Sequence, residues 1–350
     1  MVENDNPIAS RSVKTATIRD VARRAGVGVG TVSRVINNNP QVSEETRQRV
    51  LQVINSLGYV PNPIARKLST GRTLTIAVIV PFFTRPSFNE RLRGIESFLA
   101  SSDYDLVIYN VETVERRDVC MQEIPRKDRF DGVIIMSLSP RDDDLPYLQR
   151  ANIPLVLVDA NHPSLASLHR VIVDDIAGGY QATRHLIELG HTRIGYVSDY
   201  LETPFNFTSS RFRLEGYKQA LHEAGIPFCQ DYHQQGEHGR AESYSMAMKL
   251  LSLPDFPTAI FAASDTQAMG VLQAANELGL RVPYDLSVIG YDDIEIAEYL
   301  GLTTVRQLLY ESGRRGVELL LNIVDHINLE PVCEVLPTQL IVRKTTALAR

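Results

Sequence analysis

Residues 15–71 read TATIRDVARRAGVGVGTVSRVINNNPQVSEETRQRVLQVINSLGYVPNPIARKLSTG, and this stretch decides how the N-terminal part of the chain folds. Three segments in it repeat apolar residues at helical spacing, each with a start or stop signal. A fourth segment, near its end, is too short to be helical alone in water. The stretch is also basic, so it predicts a small helical headpiece that binds DNA.

The first predicted helix starts at a capping box, in which Thr17 precedes Asp20 by three residues. Its apolar face consists of Ile18, Val21, Ala22 and Ala25. Gly26 ends the helix, because glycine readily takes the left-handed conformation found at helix C-termini. The segment therefore predicts a short amphipathic helix.

The second predicted helix has an apolar stripe formed by Val32, Val35 and Ile36. Its other faces carry Thr31, Ser33, Arg34 and Asn37. A third helix is predicted after Ser43, with two glutamates in its first turn, where the helix dipole favours negative charge. Its buried side consists of Thr46, Val50, Val53 and Leu57, before Gly58. Two helices joined by a tight turn and supported by a third form a helix-turn-helix unit, whose second helix enters the major groove.

The glycines at positions 26, 28 and 30 suggest an alternative, the fingerprint of a dinucleotide-binding domain. That fingerprint needs a third glycine at position 31, where the chain has Thr31. It also needs a strand upstream, where the chain has the charged helix over residues 19–25. The spacing therefore argues against a dinucleotide site.

Three segments of the headpiece, IRDVARRAGVGVGTVSRVIN (18–37), VSEETRQRV (42–50) and YVPNPIARKL (59–68), resemble the lactose-repressor/galactose-repressor family, in order and without gaps. In that family the helix with TVSRVIN reads DNA bases. The resemblance implies that Val29, Gly30 and Arg34 occupy the specificity positions. It gives phosphate-facing or supporting roles to Thr31, Ser33 and Asn37, and adds Thr17 to the DNA-binding set.

Two glycines depart from the family pattern. Gly28 stands where relatives usually have Ser, so the second helix lacks a side-chain cap. The missing cap lowers the stability of this helix by about 1 kcal/mol or less. Gly30 presents no side chain to a base. More of the base reading then falls on Arg34, whose fork suits guanine O6 and N7. Alternatively, Arg34 only contacts phosphate.

The fourth segment, residues 62–69, has Asn62 as a cap and Pro63 at the first helical position. The resemblance implies a hinge helix that pairs with its copy on the minor groove, where Leu68 wedges between base pairs. Ala65 and Arg66 would lie against the groove beside it. The alternative is a plain proline-containing linker.

Charge divides the chain in the same place. Residues 1–70 hold ten Lys and Arg against five Asp and Glu, a net charge of +5, whereas the rest holds 26 against 37, a net charge of −11. A basic arm on an acidic body is the electrostatic pattern of phosphate binding. We expect a disordered arm over 1–15 rather than a signal peptide, a headpiece over 16–60, a hinge helix and linker over 61–72, and a body over 73–346.

The body alternates strand-like apolar runs with helical stretches, which predicts an α/β fold of parallel sheets flanked by helices, in two lobes. No apolar run approaches the roughly 18 residues of a membrane span. The three cysteines, Cys120, Cys229 and Cys333, lack metal-site spacing. They fit a reduced cytoplasmic setting, and no metal or cofactor is expected.

Five further motifs resemble the same family. They are DGVII, DDIAGGYQATRHLIELGHTRIGYV, RLEGY, SDTQAMGVLQAANELGLRVPYDLSVIGYDD and LTTVRQ. The likeness spans nearly everything from residue 16 to about residue 344. It implies a body like a periplasmic sugar-binding protein, with an effector cleft between two lobes joined by three crossovers. Lobe 1 would cover about 73–173 and 307–335, and lobe 2 about 174–303 and 336–346.

Ligands of open α/β sheets bind at the carboxyl ends of strands, and the predicted effector site is drawn from those positions. It comprises Phe82, Phe88, Ser209, Arg213, His238, Ser264, Asp265, Asp292 and Gln307. By the resemblance, Arg213, Asp292 and Gln307 are the strongest candidates. A guanidinium donates and a carboxylate accepts, so this pair suits vicinal hydroxyls, which favours a sugar.

Alternatives exist for several of these residues. Arg213 and Asp292 would instead pair with one another, as buried charges usually do, and Asp265 would cap a helix. His238 stands where relatives often have a large aromatic residue, which indicates a more polar effector. Leu308 replaces a proline common in the family, so we expect a less rigid crossover there.

The predicted function is a ligand-responsive repressor that binds a palindromic operator as a homodimer, with no membrane partner. Since the chain ends at residue 350 without a leucine-heptad extension, dimers are expected rather than tetramers. A purine- or nucleoside-responsive corepressed regulator is the alternative. The absence of nucleophile-elbow, HExxH, CxxC and P-loop motifs argues against an enzyme. The headpiece argues against a solute-binding protein.

Overall fold

A computed structural model gives the structure of the protein. It describes residues 16–37, 39–60, 71–125, 129–150, 153–161, 163–326 and 329–350. The chain forms two compact units, Met1–Thr73 and Leu74–Arg350. The expected arm (1–15) and the predicted hinge residues Asn62, Ala65, Arg66 and Leu68 lie outside the described residues.

The first unit contains the three predicted helices, α1 (Ile18–Ala25), α2 (Val29–Ile36) and α3 (Glu44–Leu57). The capping box of Thr17 and Asp20 is present at the start of α1. Gly26 and Gly58 take left-handed φ values of 66° and 56° and end α1 and α3. The helices enclose a core formed by Val21, Ala22, Ala25, Val32, Val35, Val50 and Tyr59.

The strands of the second unit are β1 (Thr75–Pro81), β2 (Asp105–Val111), β3 (Gly132–Met136), β4 (Leu155–Val158), β5 (His169–Val173), β6 (Ile194–Asp199), β7 (His233–Gly236), β8 (Ala259–Ala262), β9 (Ser287–Asp292), β10 (Thr303–Arg306), β11 (Cys333–Leu336) and β12 (Gln339–Ile341). They form two sheets with the orders β11-β5-β4-β3-β1-β2 and β12-β10-β9-β8-β6-β7. The pairs are parallel except for the antiparallel pair of β10 and β12. We call the parts built on these sheets lobe 1 and lobe 2.

The helices of the second unit are α4 (Pro86–Leu99), α5 (Val114–Glu123), α6 (Leu145–Arg150), α7 (Asp175–Glu188), α8 (Ser209–Glu223), α9 (Arg240–Leu251), α10 (Asp265–Glu277), α11 (Glu295–Leu300) and α12 (Leu309–Asp325). Short 3₁₀ turns occur at Pro163–Leu165 and Gln230–Tyr232. Helices cover the sheets, and the central strands β1, β3, β8 and β9 are almost entirely buried. Their continuous apolar runs are typical of parallel sheets covered on both faces.

The chain crosses between the two sheets three times in its described part: after β5, after β10 and after β11. The C-terminal region therefore adds one strand to each sheet, β11 to lobe 1 and β12 to lobe 2. At the second crossover Leu308 has a φ of 54°. Proline is fixed near a φ of about −65° and cannot adopt this angle. Leu308 therefore has a backbone conformation that a proline at this position could not have.

Among the described residues, no helix is long and apolar enough to cross a membrane.

Candidate functional site

Helix α2 presents an exposed face in the first unit. Val29, Gly30, Arg34 and Asn37 are exposed on it, whereas Val32 and Val35 are buried against the other helices. Thr31 and Ser33 are half-buried between these faces, and Thr17 is exposed beside its capping bond. The residues predicted to contact DNA thus include an arginine directed away from the headpiece core. The assignment of each to a base or a phosphate stays a prediction.

The start of α2 lacks a side-chain cap, as the sequence predicted. Gly28 has φ −71° and ψ 152°, the usual extended conformation of an N-cap, but it offers no oxygen to the amides of the first turn. Nothing lies within 4 Å of the position that a Cβ would take on Gly28 or Gly30. Both glycines are therefore tolerated rather than required by the headpiece.

A polar cavity lies between the two lobes, at the carboxyl ends of the strands. Its lining includes seven of the predicted effector residues, namely Phe88, Ser209, Arg213, His238, Ser264, Asp292 and Gln307. These side chains come from both lobes and from the crossover after β10. The structure thus brings most of the predicted set together around one cleft.

In lobe 2, Arg213 is buried and makes several polar contacts. Its Nε donates to Asp175 Oδ1 at 2.8 Å, and its Nη1 donates to the carbonyl oxygen of Ala263 at 2.5 Å. The guanidinium also stacks 3.7 Å from the centroid of the Tyr291 ring. Burial lowers the pKa of Arg213, but Asp175, Tyr291 and Asp292 outweigh it and raise that pKa, so the side chain is a permanent cation.

Asp292 ends β9 with a φ of 118°, an uncommon backbone angle that directs its carboxylate into the cleft. The distance from Arg213 Nη1 to Asp292 Oδ1 is 4.0 Å, longer than the Arg213–Asp175 contact. Asp175 is therefore the nearer carboxylate to Arg213, and the pair with Asp292 that the sequence offered as an alternative is present as a longer ion pair. Burial raises the pKa of Asp292 to about 6, against the opposing effect of Arg213 and Arg91.

Gln307 connects the two lobes. Its Nε2 donates to Asp292 Oδ1 of lobe 2. Its Oε1 accepts a hydrogen bond of 2.9 Å from Arg91 Nη2 of lobe 1. The amide is almost completely buried, so both bonds lie within the cleft. A ligand that replaces either bond would change how the lobes are joined.

Lobe 1 contributes a polar set that the sequence did not predict. Arg91 on α4 lies 3.0 Å from Asp159 Oδ2, directly after β4. Ser137, directly after β3, donates to the same carboxylate at 2.7 Å. Arg91 is 1 % exposed, and its Nε has no hydrogen-bond partner among the described residues. Arg91 therefore brings a buried guanidinium with one unpaired N–H to the lining of the cleft.

A second polar contact lies at the end of β6. His238 Nδ1 is 3.0 Å from Asp199 Oδ1, which also accepts a 3.0 Å bond from Gln267 Nε2. Burial raises the pKa of Asp199, but the hydrogen bond and charge of His238, with Arg85 and Arg213, lower it overall. Asp199 and Arg85 both line the cleft and were missed by the sequence reasoning.

Two predicted effector residues lie elsewhere. Asp265 is fully buried, and its carboxylate accepts bonds from the Ile294 amide at 3.0 Å and the Thr304 hydroxyl at 2.6 Å. It does not line the cleft, and it does not cap α10 either, since the cap is Ser264, whose Oγ accepts from the Gln267 amide. Phe82 lines an adjoining cavity instead.

The strand-end rule could have found Asp159, which follows the apolar run PLVLV at residues 154–158. It could also have found Asp199, which follows the strand-like run RIGYVS at residues 193–198. Arg91 gave no such signal, because it lies within a helix and its contact with Gln307 spans 216 positions of sequence. Only the folded chain brings these two residues together.

A helix-turn-helix unit with an exposed arginine, followed by a two-lobed α/β body with a polar cleft, defines a DNA-binding regulator controlled by a small ligand. Residues 17–62 match the family described as bacterial regulatory proteins, lacI family, and residues 183–346 match the periplasmic binding protein-like domain. The chain belongs to the LacI family of bacterial regulatory proteins. The resemblance found in the sequence and the predicted fold class are confirmed.

Three similar proteins illustrate the match. Catabolite control protein A of Priestia megaterium is 33% identical over 332 residues, covering 94% of this chain and 99% of that protein. A lac repressor dimer bound to operator and the anti-inducer ONPF has a TM-score of 0.84 and 29% identity, covering 95% of this chain and 100% of that one. The complex of the transcriptional regulator CelR with cellobiose has a TM-score of 0.70 and 34% identity. The match covers 94% of this chain and 99% of that one.

Proposed function

We propose that this protein is a transcriptional repressor that binds a near-palindromic operator as a homodimer and responds to a neutral sugar or sugar derivative in the interlobe cleft. The similar lac repressor structure is a dimer on its operator, and the similar CelR structure holds cellobiose. A DNA-binding regulator of this family works in the cytoplasm, with the chromosome. The relatives are regulators, and we infer that this chain is one rather than an enzyme.

The charge balance of the cleft carries the proposal of a neutral effector. Among the described residues, three arginines and three aspartates line it: Arg85, Arg91, Arg213, Asp159, Asp199 and Asp292. An anionic ligand such as a sugar phosphate would meet three carboxylates, and a cation would meet three guanidiniums. Hydroxyl groups both donate and accept, so a polyhydroxylated neutral ligand can bond to both kinds of group at once.

The contacts of Gln307 support a switch between lobes. A ligand that takes over the Asp292 carboxylate would compete with the Gln307–Asp292 bond and thereby shift the equilibrium between lobe arrangements. Effector and operator must then change each other's affinity by the same factor. The direction, induction or corepression, is left to experiment.

A thermal-shift screen of sugars, sugar phosphates, nucleosides and purines tests the effector class. A ligand present at 100 times its dissociation constant stabilises the protein by about 2.7 kcal/mol. We expect a neutral sugar to raise the melting temperature of the wild type and to leave that of Asp292→Asn unchanged. Stabilisation only by a purine, a nucleoside or a sugar phosphate would contradict the proposal. A purine or a nucleoside would support the alternative of a purine-responsive regulator.

A further inference from the structure

A second cavity adjoins the effector cleft. The two share four lining residues, Arg85, Asp199, Phe207 and His238. The rest of the second cavity is formed largely by the loop of residues 200–208, between β6 and α8, together with Phe82. These four side chains therefore lie at the boundary between the two cavities.

The second cavity has an aromatic wall. Phe205 stacks on Phe207 with ring centroids 5.5 Å apart, and it meets Phe82 edge-on at 5.4 Å. All three rings are half-buried. The guanidinium of Arg85 lies 4.1 Å from the centroid of Phe82. This wall contrasts with the first cleft, where ion pairs and hydroxyls predominate.

The loop of residues 200–208 is held against lobe 1 although it connects elements of lobe 2. Arg141 Nη2 donates to the carbonyl oxygen of Pro204 at 2.6 Å, and Asn206 Nδ2 donates to that of Ser139 at 3.4 Å. Phe205 and Phe207 pack against the core of lobe 1. These contacts fix the aromatic wall in place, which lowers the ordering cost of binding to it.

We propose that the second cavity is a subsite for a second sugar ring, so that the effector is a disaccharide or a longer saccharide. The proposal rests on the proposed sugar-binding function of the cleft. A pyranose has a hydroxyl-rich edge and faces of polarised C–H groups, and such faces are attracted to the negative face of an aromatic ring. One ring would bond to the ionic groups of the cleft, and the next would lie against Phe205 and Phe207.

The shared residues suit the junction between two rings. Asp199 lines both cavities, and His238 and Gln267 each hold its Oδ1 at 3.0 Å. Its carboxylate is thus oriented to accept a hydroxyl next to the glycosidic bond. Phe207 also lines both cavities, so the aromatic wall begins where the ionic site ends.

Calorimetric titration of the full chain with matched sugars tests the subsite. The probes are glucose with cellobiose and maltose, and galactose with lactose. For the sugar that the cleft accepts, we expect a disaccharide to bind about tenfold more tightly than its monosaccharide, a factor within the range of aromatic contacts. Phe205→Ala should remove this advantage and leave monosaccharide affinity within about twofold of wild type, because Phe205 lines the second cavity and not the cleft.

Phe83→Ala is the matched control, because Phe83 is exposed next to Phe82 but lines neither cavity. It should keep the full disaccharide advantage. If Phe205→Ala does not fold, Phe205→Leu retains apolar packing while removing the aromatic face, and the same ratio is measured.

Three results would overturn the subsite. Equal wild-type affinity for a disaccharide and its monosaccharide would do so. Equal weakening of both sugars by Phe205→Ala would also do so, because the loop would then only hold the two lobes together. Either result would leave the cleft as a monosaccharide site. A protein that binds none of these sugars would remove the subsite, whereas the proposed function is decided separately by the thermal-shift screen.

Discussion

Arg91 and Arg213 occupy matching positions in the two lobes. Arg91 lies on α4, which follows β1, and Arg213 lies on α8, which follows β6; these two strands have the same place in the orders of their sheets. Each guanidinium faces an aspartate at a strand end, Asp159 at 3.0 Å in lobe 1 and Asp292 at 4.0 Å in lobe 2. The cleft is thus built from two equivalent halves.

The same correspondence extends to helix packing. A Cβ on Gly313 of α12 would lie 1.9 Å from the carbonyl oxygen of Arg91, and a Cβ on Gly179 of α7 would lie 2.2 Å from that of Arg213. In each lobe a glycine therefore allows a neighbouring helix to contact the backbone of the cleft arginine.

Gly313→Ala should consequently push α12 away from α4, destabilise the body by about 1–3 kcal/mol through overpacking, and displace Arg91. We expect a lower melting temperature and weaker sugar binding. Gly30→Ala is the control, since a Cβ there meets nothing within 4 Å. Unchanged stability and affinity in Gly313→Ala would show that this contact does not position the arginine.

Arg34→Ala tests base reading by α2. If Arg34 binds a guanine through its fork, the variant loses about 1–3 kcal/mol on the operator and little on random DNA. Arg34→Lys keeps the charge without the fork and should lose the same discrimination. Fluorescence anisotropy on operators substituted at single base pairs measures this effect. Equal losses of Arg34→Ala on operator and random DNA would reassign Arg34 to a phosphate.

Gly28→Ser should strengthen the start of α2. The backbone at Gly28 already has an N-cap conformation with free space around it, so a serine hydroxyl can accept from the first turn and add about 0.3–1 kcal/mol. Hydrogen exchange of the α2 amides should slow. Gly26→Ser, at a φ of 66°, should instead destabilise α1. Faster exchange in Gly28→Ser would refute the account of the missing cap.

Sugar affinity should depend on pH through Asp292. Because its pKa is raised to about 6 in the fold, acidification through that value protonates the carboxylate that accepts ligand hydroxyls. Affinity measured by calorimetry between about pH 5 and pH 8 should be constant at the upper end and fall below about pH 6. Asp292→Asn should bind weakly at every pH, without this inflection. A wild-type affinity that rises on acidification would contradict the role given to the ionised carboxylate.

The stability contribution of the same group has a defined sign. A folded pKa above the ordinary 3.8 of Asp means that the fold favours the protonated form. Its contribution to the free energy of unfolding is therefore fully present below about pH 3.8 and is lost as the pH rises through about 6. Asp175 and Asp265 also have raised pKa values, chiefly through burial, so the comparison requires the difference between wild type and Asp292→Asn.

Local signals in the sequence explain what could be predicted of the fold. Capping residues and apolar periodicity located α1 to α3, and long apolar runs located the central strands. Strands β7, β10, β11 and β12 were missed because each has only three or four residues and lacks a long apolar run. Such strands are defined by their partners rather than by their own sequence.

The effector site was predicted only in part, because some of its residues are brought together only by the fold. Arg213 and Asp292 lie in motifs that resemble the family, whereas Arg91 becomes a site residue only through its distant partner Gln307. Asp265 shows the opposite error. Its position after a strand end favoured a ligand or a cap, but the fold uses its carboxylate to hold Ile294 and Thr304.

The most direct test of a ligand-responsive repressor is the thermodynamic linkage between its two partners. Operator affinity is measured with and without a saturating sugar identified by the thermal-shift screen, and sugar affinity is measured with and without operator DNA. The account predicts that both ratios depart from one and are equal, and that Asp292→Asn binds the operator without responding to the sugar. A sugar that binds the cleft but leaves operator affinity unchanged would contradict it.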